Sequence, residues 1–232
     1  FPYMEKYQYR SGMEAVLDEM TGLLSLDGEP SDKALLYDYQ ACVEDTFQNN
    51  PQKAIKLEKD ALALCADVTA DNAHLAANLH ANIGYLYHKT KQIAFAKEHM
   101  EEGIRLLEQY NLLYMNDSVI QINNYASLIS ELGESEKALS ALQKCAKMVS
   151  VYNSARSGDY AALCWSMGTV CLQMGNVQQA TENFKASFAV YEVLLADEPE
   201  HLEEKYQEVQ KLYVSAGAYL GQQFRKKLST DE

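Results

Sequence analysis

Small residues recur in this chain every 42 positions, and no other feature of the sequence constrains the fold as strongly. Ala54, Ala96, Ala138 and Ala180 stand one period apart, and one further step back reaches Gly12. Two more columns share the spacing: Cys42, Gly84, Ala126 and Gly168, then Ala61, Gly103, Cys145 and Ser187. Asn49, Lys91, Gly133, Gly175 and Gly217 form a turn column, three of them being the glycine that helix C-termini favour. Between these columns the apolar spacing is helical, with Leu79, Ile83, Leu86 and Tyr87 on one stripe and Phe95, Met100, Ile104 and Leu107 on the next. Each period therefore predicts two antiparallel helices joined by a tight turn. The small columns mark the crossings, where axes ~8–10 Å apart leave no space for large side chains.

Composition agrees with long helices and short connections, because Gly at 11 and Pro at 4 are scarce in 232 residues. Residues 1–30 are read as one N-terminal helix, with an amphipathic stripe of Met13, Val16, Leu17, Met20, Leu23 and Leu24 ending near Leu26-Asp27-Gly28. In phase it is either the second helix of a pair whose first is missing or a cap over the open end. Residues 31–232 are read as five helix pairs beginning near 35, 77, 119, 161 and 203. N-caps are expected at Asp32, at Asp71 or Asn72, at Asp117, at Asp159, and at Glu198 ahead of Pro199. The start at Phe1-Pro2, without methionine, is what an excised fragment would show.

Charge and motif content narrow the function. A net charge of -13 repels a phosphate backbone. The one dense basic run, Arg225, Lys226 and Lys227, reads as a solvated helix end, so no nucleic-acid contact is expected. No apolar stretch approaches the ~20 residues that span a bilayer. Cys42, Cys65, Cys145, Cys164 and Cys171 are odd in number, scattered and set in apolar helical patterns, which points to buried thiols and a reducing, cytoplasmic setting. His74, His80, His88, His99 and His201 form neither HExxH nor an i, i+4 pair, so no metal is expected. Nucleotide-loop and nucleophile-elbow motifs are absent from the sequence. No cofactor and no catalytic residue are assigned, and the chain is read as a binding protein, not an enzyme.

The pattern of small residue, aromatic, turn glycine, alanine and small residue resembles the tetratricopeptide repeat, most clearly from Gly84-Tyr85-Leu86-Tyr87 to Gly103 and from Gly168 to Ser187. The 42-residue length resembles the long-helix subclass typified by kinesin light chain. So do Ala81-Asn82-Ile83-Gly84-Tyr85-Leu86-Tyr87 and Asn123-Asn124-Tyr125-Ala126-Ser127-Leu128, which are similar to that subclass's Asn-Asn-Leu-Ala-x-Leu-Tyr segment. The subclass's His-Pro-Asp linker is only echoed, at Asn72-Ala73-His74 and Glu198-Pro199-Glu200-His201. The resemblance implies an all-α solenoid, a right-handed superhelix of helix pairs, whose first helices line a concave peptide-binding face.

On those first helices, the face opposite the packing stripe carries Tyr39, Gln40, Asn78, Asn82, Tyr85, His88, Asn123, Asn124, Ser127, Trp165, Ser166, Thr169 and Gln173. An asparagine amide both donates and accepts, so Asn82 and Asn124, one period apart, are expected to grip the backbone of an extended peptide. The resemblance matches them to the subclass's groove asparagine. Any one of these residues also reads as merely solvated. Helical phase sets Trp165 beside Ser166 and Thr169, away from Met167, Val170 and Cys171, and leaves it either a groove anchor or a packed core ring. No basic residue stands among these positions, which disfavours a clamp for acidic tails. The expected partner is a peptide or helix of another protein. A peptide-sensing domain of a bacterial regulator is the alternative, and self-assembly through the open end is a third class.

Overall fold

The computed structural model describes residues 10–27 and 29–228. The side chains of Met13, Leu23 and Leu24, and of Arg225, Lys226 and Lys227, lie outside the described residues, as do Phe1 and Pro2. Among the described residues there are ten α-helices and no strand. They are α1 (Arg10–Asp27), α2 (Pro30–Thr46), α3 (Pro51–Leu64), α4 (Ala73–Lys89), α5 (Ile93–Gln109), α6 (Asn116–Glu131), α7 (Ser135–Val149), α8 (Gly158–Gln173), α9 (Val177–Leu194) and α10 (Pro199–Leu228). A π-helical turn, Ser150–Ser154, follows α7. The chain divides into two compact units, Phe1–Leu112 and Leu113–Glu232. In the first, α1 packs on the hairpin α2/α3, which packs on the hairpin α4/α5. In the second, hairpin α6/α7 packs on α8/α9, and α10 lies against α8 and α9.

The turn column folds as its chemistry demands. Asn49, Lys91, Gly133 and Gly175 take φ of 50°, 63°, 82° and 79°, the left-handed conformation that stops a helix. The next residue then closes a long bond back into the helix it leaves: the N–H groups of Gln92, Glu134 and Asn176 donate to the carbonyls of Tyr87, Ile129 and Cys171 at 2.8–2.9 Å. The same residues are the N-caps of the following helices. One residue thus ends one helix and begins another. Asn50 and Asn176 complete the cap with a side-chain oxygen that accepts from Lys53 N and Gln179 N at 3.3 and 3.1 Å.

The small columns sit where the helices cross. Ala54, Ala96, Ala138 and Ala180 have no exposed surface. A Cβ on Gly84 would lie 2.6 Å from Met100 Cγ, and one on Gly168 would meet three Phe184 ring atoms at 2.8–2.9 Å. Ser187, at a third crossing, spends its hydroxyl on the Ala161 carbonyl at 2.8 Å. Leu17 of α1 joins Leu36 and Val43 in a buried cluster that Met20, Tyr39, Cys42 and Phe47 flank.

Three expectations are corrected. Asp32, Asp117 and Asp159 lie inside first helical turns, and the N-caps are Glu29, Met115 and Ser157; proline at the start of α2 and the Ser157 hydroxyl, which accepts from Tyr160 N at 3.2 Å, set those boundaries instead. Phe95 is 53% exposed instead of joining the stripe, and its ring rests on Tyr87 with centroids 5.3 Å apart. At Gly217 there is no turn, and α10 runs unbroken for 30 residues.

Candidate functional site

In the first unit, α2 and α4 flank a recess of about 380 Å3, with α3 beneath it. Helical phase brings Asp38, Tyr39, Cys42 and Asp45 to it from α2, and Asn82, Tyr85 and Leu86 from α4. One residue of α3, Glu58, completes the lining. Asn82 Nδ2 donates to Asp38 Oδ1 at 2.9 Å. At one side of the recess Lys89 Nζ donates to both Asp45 oxygens at 2.8 and 2.9 Å, which holds the lysine's proton more firmly than usual. Glu58 is only 3% exposed, and its Oε2 has no hydrogen-bond partner. Burial, reinforced by the Asp38 charge, pushes its carboxyl up to about 10, so at neutral pH it is protonated.

Of the residues expected from sequence, Tyr39, Asn82 and Tyr85 come together around this recess, and Tyr85 is 46% exposed. Gln40, Asn78 and His88 are half-buried on the same two helices and do not line it. Asn82 and Asn124 belong to different units. In the second unit, Asn124 and Ser127 are exposed on α6, while Asn123 is half-buried, with a buried Oδ1 that no donor reaches. Ser166 is half-buried on α8. Thr169, whose hydroxyl donates to the Trp165 carbonyl at 3.2 Å, and Gln173 line a shallow cavity of about 920 Å3 with Ser130, Glu134 and Leu212.

Trp165 belongs to an aromatic cluster. Its ring meets Phe184, Phe188 and Tyr191 edge-on at centroid distances of 5.4, 5.9 and 6.5 Å, and Lys205 Nζ stands 5.0 Å over it. Those three rings share one face of α9, and the indole is long enough to reach them across the hairpin. α10 adds Tyr206, stacked on Phe188 at 4.3 Å, and Tyr213 beside Phe184 at 5.9 Å.

Sequence reasoning missed Glu58 and Asp38. The signal lay in the period: Glu58 occupies the column of Met100, Leu142 and Phe184, all buried and apolar. It also missed a histidine pair, His80 Nδ1 and His99 Nδ1 at 3.1 Å between α4 and α5. Burial, then the neighbouring ring, lowers His80 to about 4, and burial with the Lys59 charge lowers His99, so both are neutral at pH 7. Cys65, Cys145, Cys164 and Cys171 are buried free thiols whose ionisation burial opposes, Cys145 up to about 12. Among the described residues no cluster of three His, Cys, Asp or Glu side chains could hold a metal, and no helix is long and apolar enough to cross a membrane.

No family profile matches the sequence, and no curated protein is similar to it. Solved structures are. BtubC (BKLC) from P. vanneervenii superposes with a TM-score of 0.73 at 15% identity, covering 97% of this chain and 92% of that one. The TPR-like repeats of a Podosopora anserina putative kinesin light chain give 0.65 at 12% identity, over 84% and 92%. A Rap protein complexed with competence and sporulation factor gives 0.54 at 20% identity, over 87% of this chain and 58% of its own. The chain has the tetratricopeptide-like helical repeat fold that these structures share.

Proposed function

We propose that this tetratricopeptide-type chain is a protein-interaction module, without catalysis of its own, that holds a segment of a partner protein against its first helices. One observation carries the reading: α2 and α4 leave a recess between them whose rim combines aromatic rings with hydrogen-bonding side chains. Such a lining is suited to gripping a peptide, because apolar faces exclude water while a few fixed polar groups set orientation. Cys65, Cys145, Cys164 and Cys171 are buried thiols held protonated by burial, which makes them poor nucleophiles. In the second unit Asn124 and Ser127, exposed on α6, extend the same reading to that unit's own first helices.

The test is site-specific photo-crosslinking in the native host. A crosslinker at Tyr85, on the rim, is expected to capture a protein partner. The same group at Lys56, exposed on the second helix α3, is expected to capture several-fold less. Equal capture at both positions would contradict the reading. Self-assembly through the N-terminal end is tested by light scattering over a range of concentrations, where a constant monomer mass rules it out.

A second reading rests on the Rap comparison, where this fold occupies 58% of a longer chain that is complexed with a factor. On that reading this chain senses a small peptide and switches an effector or DNA-binding domain carried elsewhere in its protein. The coding sequence on either side discriminates, since a helix-turn-helix or enzymatic domain favours the sensor and further repeats favour the scaffold.

A further inference from the structure

The recess between α2 and α4 holds a feature that helix packing does not require. In the other three periods the position of Glu58 is filled by Met100, Leu142 and Phe184, each packed in its hairpin with at most 4% exposure. Glu58 is as buried as they are, yet it carries a carboxyl group, and its Oε2 finds no donor. A buried acid in an apolar column costs stability, so something other than folding accounts for it.

Its surroundings say what it is built to meet. From α2 the carboxyl of Asp38 lies beside it, and from α4 come the Asn82 amide and the Tyr85 phenol. The other acid of the recess, Asp45, is already neutralised by Lys89. The unsatisfied acceptor capacity is therefore centred on Glu58, in a chain of net charge -13. Tyr39 and Tyr85 place rings on the same recess, and aromatic faces attract cations.

Resting on the interaction-module reading and deepening it, the geometry points to a recess for an organic cation, the guanidinium or ammonium group of an Arg or Lys side chain on a bound partner segment. An entering cation supplies the donors that Glu58 Oε2 lacks. It also lets Glu58 and Asp38 be ionised together, so the proton held by Glu58 leaves to solvent and the new carboxylate pairs with the cation. No covalent bond changes. Binding is coupled to proton release, and the affinity for the cation rises with pH.

Calorimetry on the full chain at pH 7, in two buffers of different protonation heat, tests this. The probes are acetyl-Gly-Gly-Arg-Gly-Gly-amide, its citrulline counterpart, and free agmatine and spermidine. The expected result is an arginine peptide bound about tenfold or more tightly than the neutral citrulline peptide, with a fraction of a proton up to one released per site. Glu58→Gln and Glu58→Met, checked for native circular dichroism, are expected to lose both the preference and the proton release. Equal binding of the arginine and citrulline peptides, no binding of any probe, or unchanged proton release in Glu58→Gln would overturn the inference. Agmatine or spermidine binding as tightly as the arginine peptide would overturn the peptide as the cation's source. Capture by the Tyr85 crosslinker of a partner segment with no Arg or Lys would overturn the cation and leave the interaction module standing.

Discussion

Glu58 sets an unusual pH dependence for one residue. The folded carboxyl keeps its proton up to about pH 10, whereas the unfolded one loses it near 4.5. Between those values the folded state binds more protons, so stability falls as pH rises. His80 and His99 act the other way: their folded values lie below the ordinary 6.5, and their contribution is complete above 6.5 and lost as pH falls below it. Between about pH 7 and 8 unfolded histidines are mostly neutral and the buried thiols, which lose stability only as pH nears their ordinary 9, contribute little, so the Glu58 slope dominates. Urea unfolding between pH 7 and 8 is expected to show a loss of about 1 kcal/mol that Glu58→Gln abolishes. Glu58→Met, which restores the apolar column, is expected to raise stability at pH 8 by about 1–3 kcal/mol. A destabilised Glu58→Met would mean that the carboxyl supports the fold. Helical phase placed Glu58 on the crossing stripe with Ala54 and Ala61, but its charge, amid Lys56, Lys59 and Asp60, reads as part of a solvated face. The partner of Asn82 was equally hidden, since Asp38 is 44 positions away and shares no column with it.

At the scale of the helix, the period gave the crossings and four of the five turns, because both are fixed by local chemistry: a missing Cβ, or a residue that tolerates positive φ. Lys91 holds φ of 63° where two other periods use glycine. Lys91→Gly is expected to stabilise by about 0.5–1 kcal/mol, the relief of left-handed strain being partly offset by the flexibility glycine adds to the unfolded chain. Gly168→Ala tests the crossing. Its Cβ would meet the Phe184 ring at 2.8–2.9 Å, and the overpacking is expected to exceed the gain in helix propensity, leaving a net loss of about 1–2 kcal/mol. Thermal melts of the two variants should move in opposite directions. The missing turn at Gly217 shows where the period misled: the stop residue was present, yet the helix runs through it.

For the molecule as a whole, hairpins repeated at a fixed spacing explain why the fold was readable although the structural neighbours share it at only 12–20% identity. Repeat register depends on small residues at crossings and on turn chemistry, and neither needs the rest of the sequence to be kept. The site was less readable for the same reason. Its residues come from three helices, and what they do depends on differences between periods, such as Glu58 against Met100 and Leu142, that a repeat search averages away. On the proposed reading the first helices are the surface offered to a partner; hydrogen exchange by mass spectrometry, with and without the partner captured at Tyr85, tests that most directly. The account predicts added protection in α2 and α4, around residues 38–45 and 82–86, with little change on the exposed face of α3 and α5. Protection confined to α3 and α5 would contradict it.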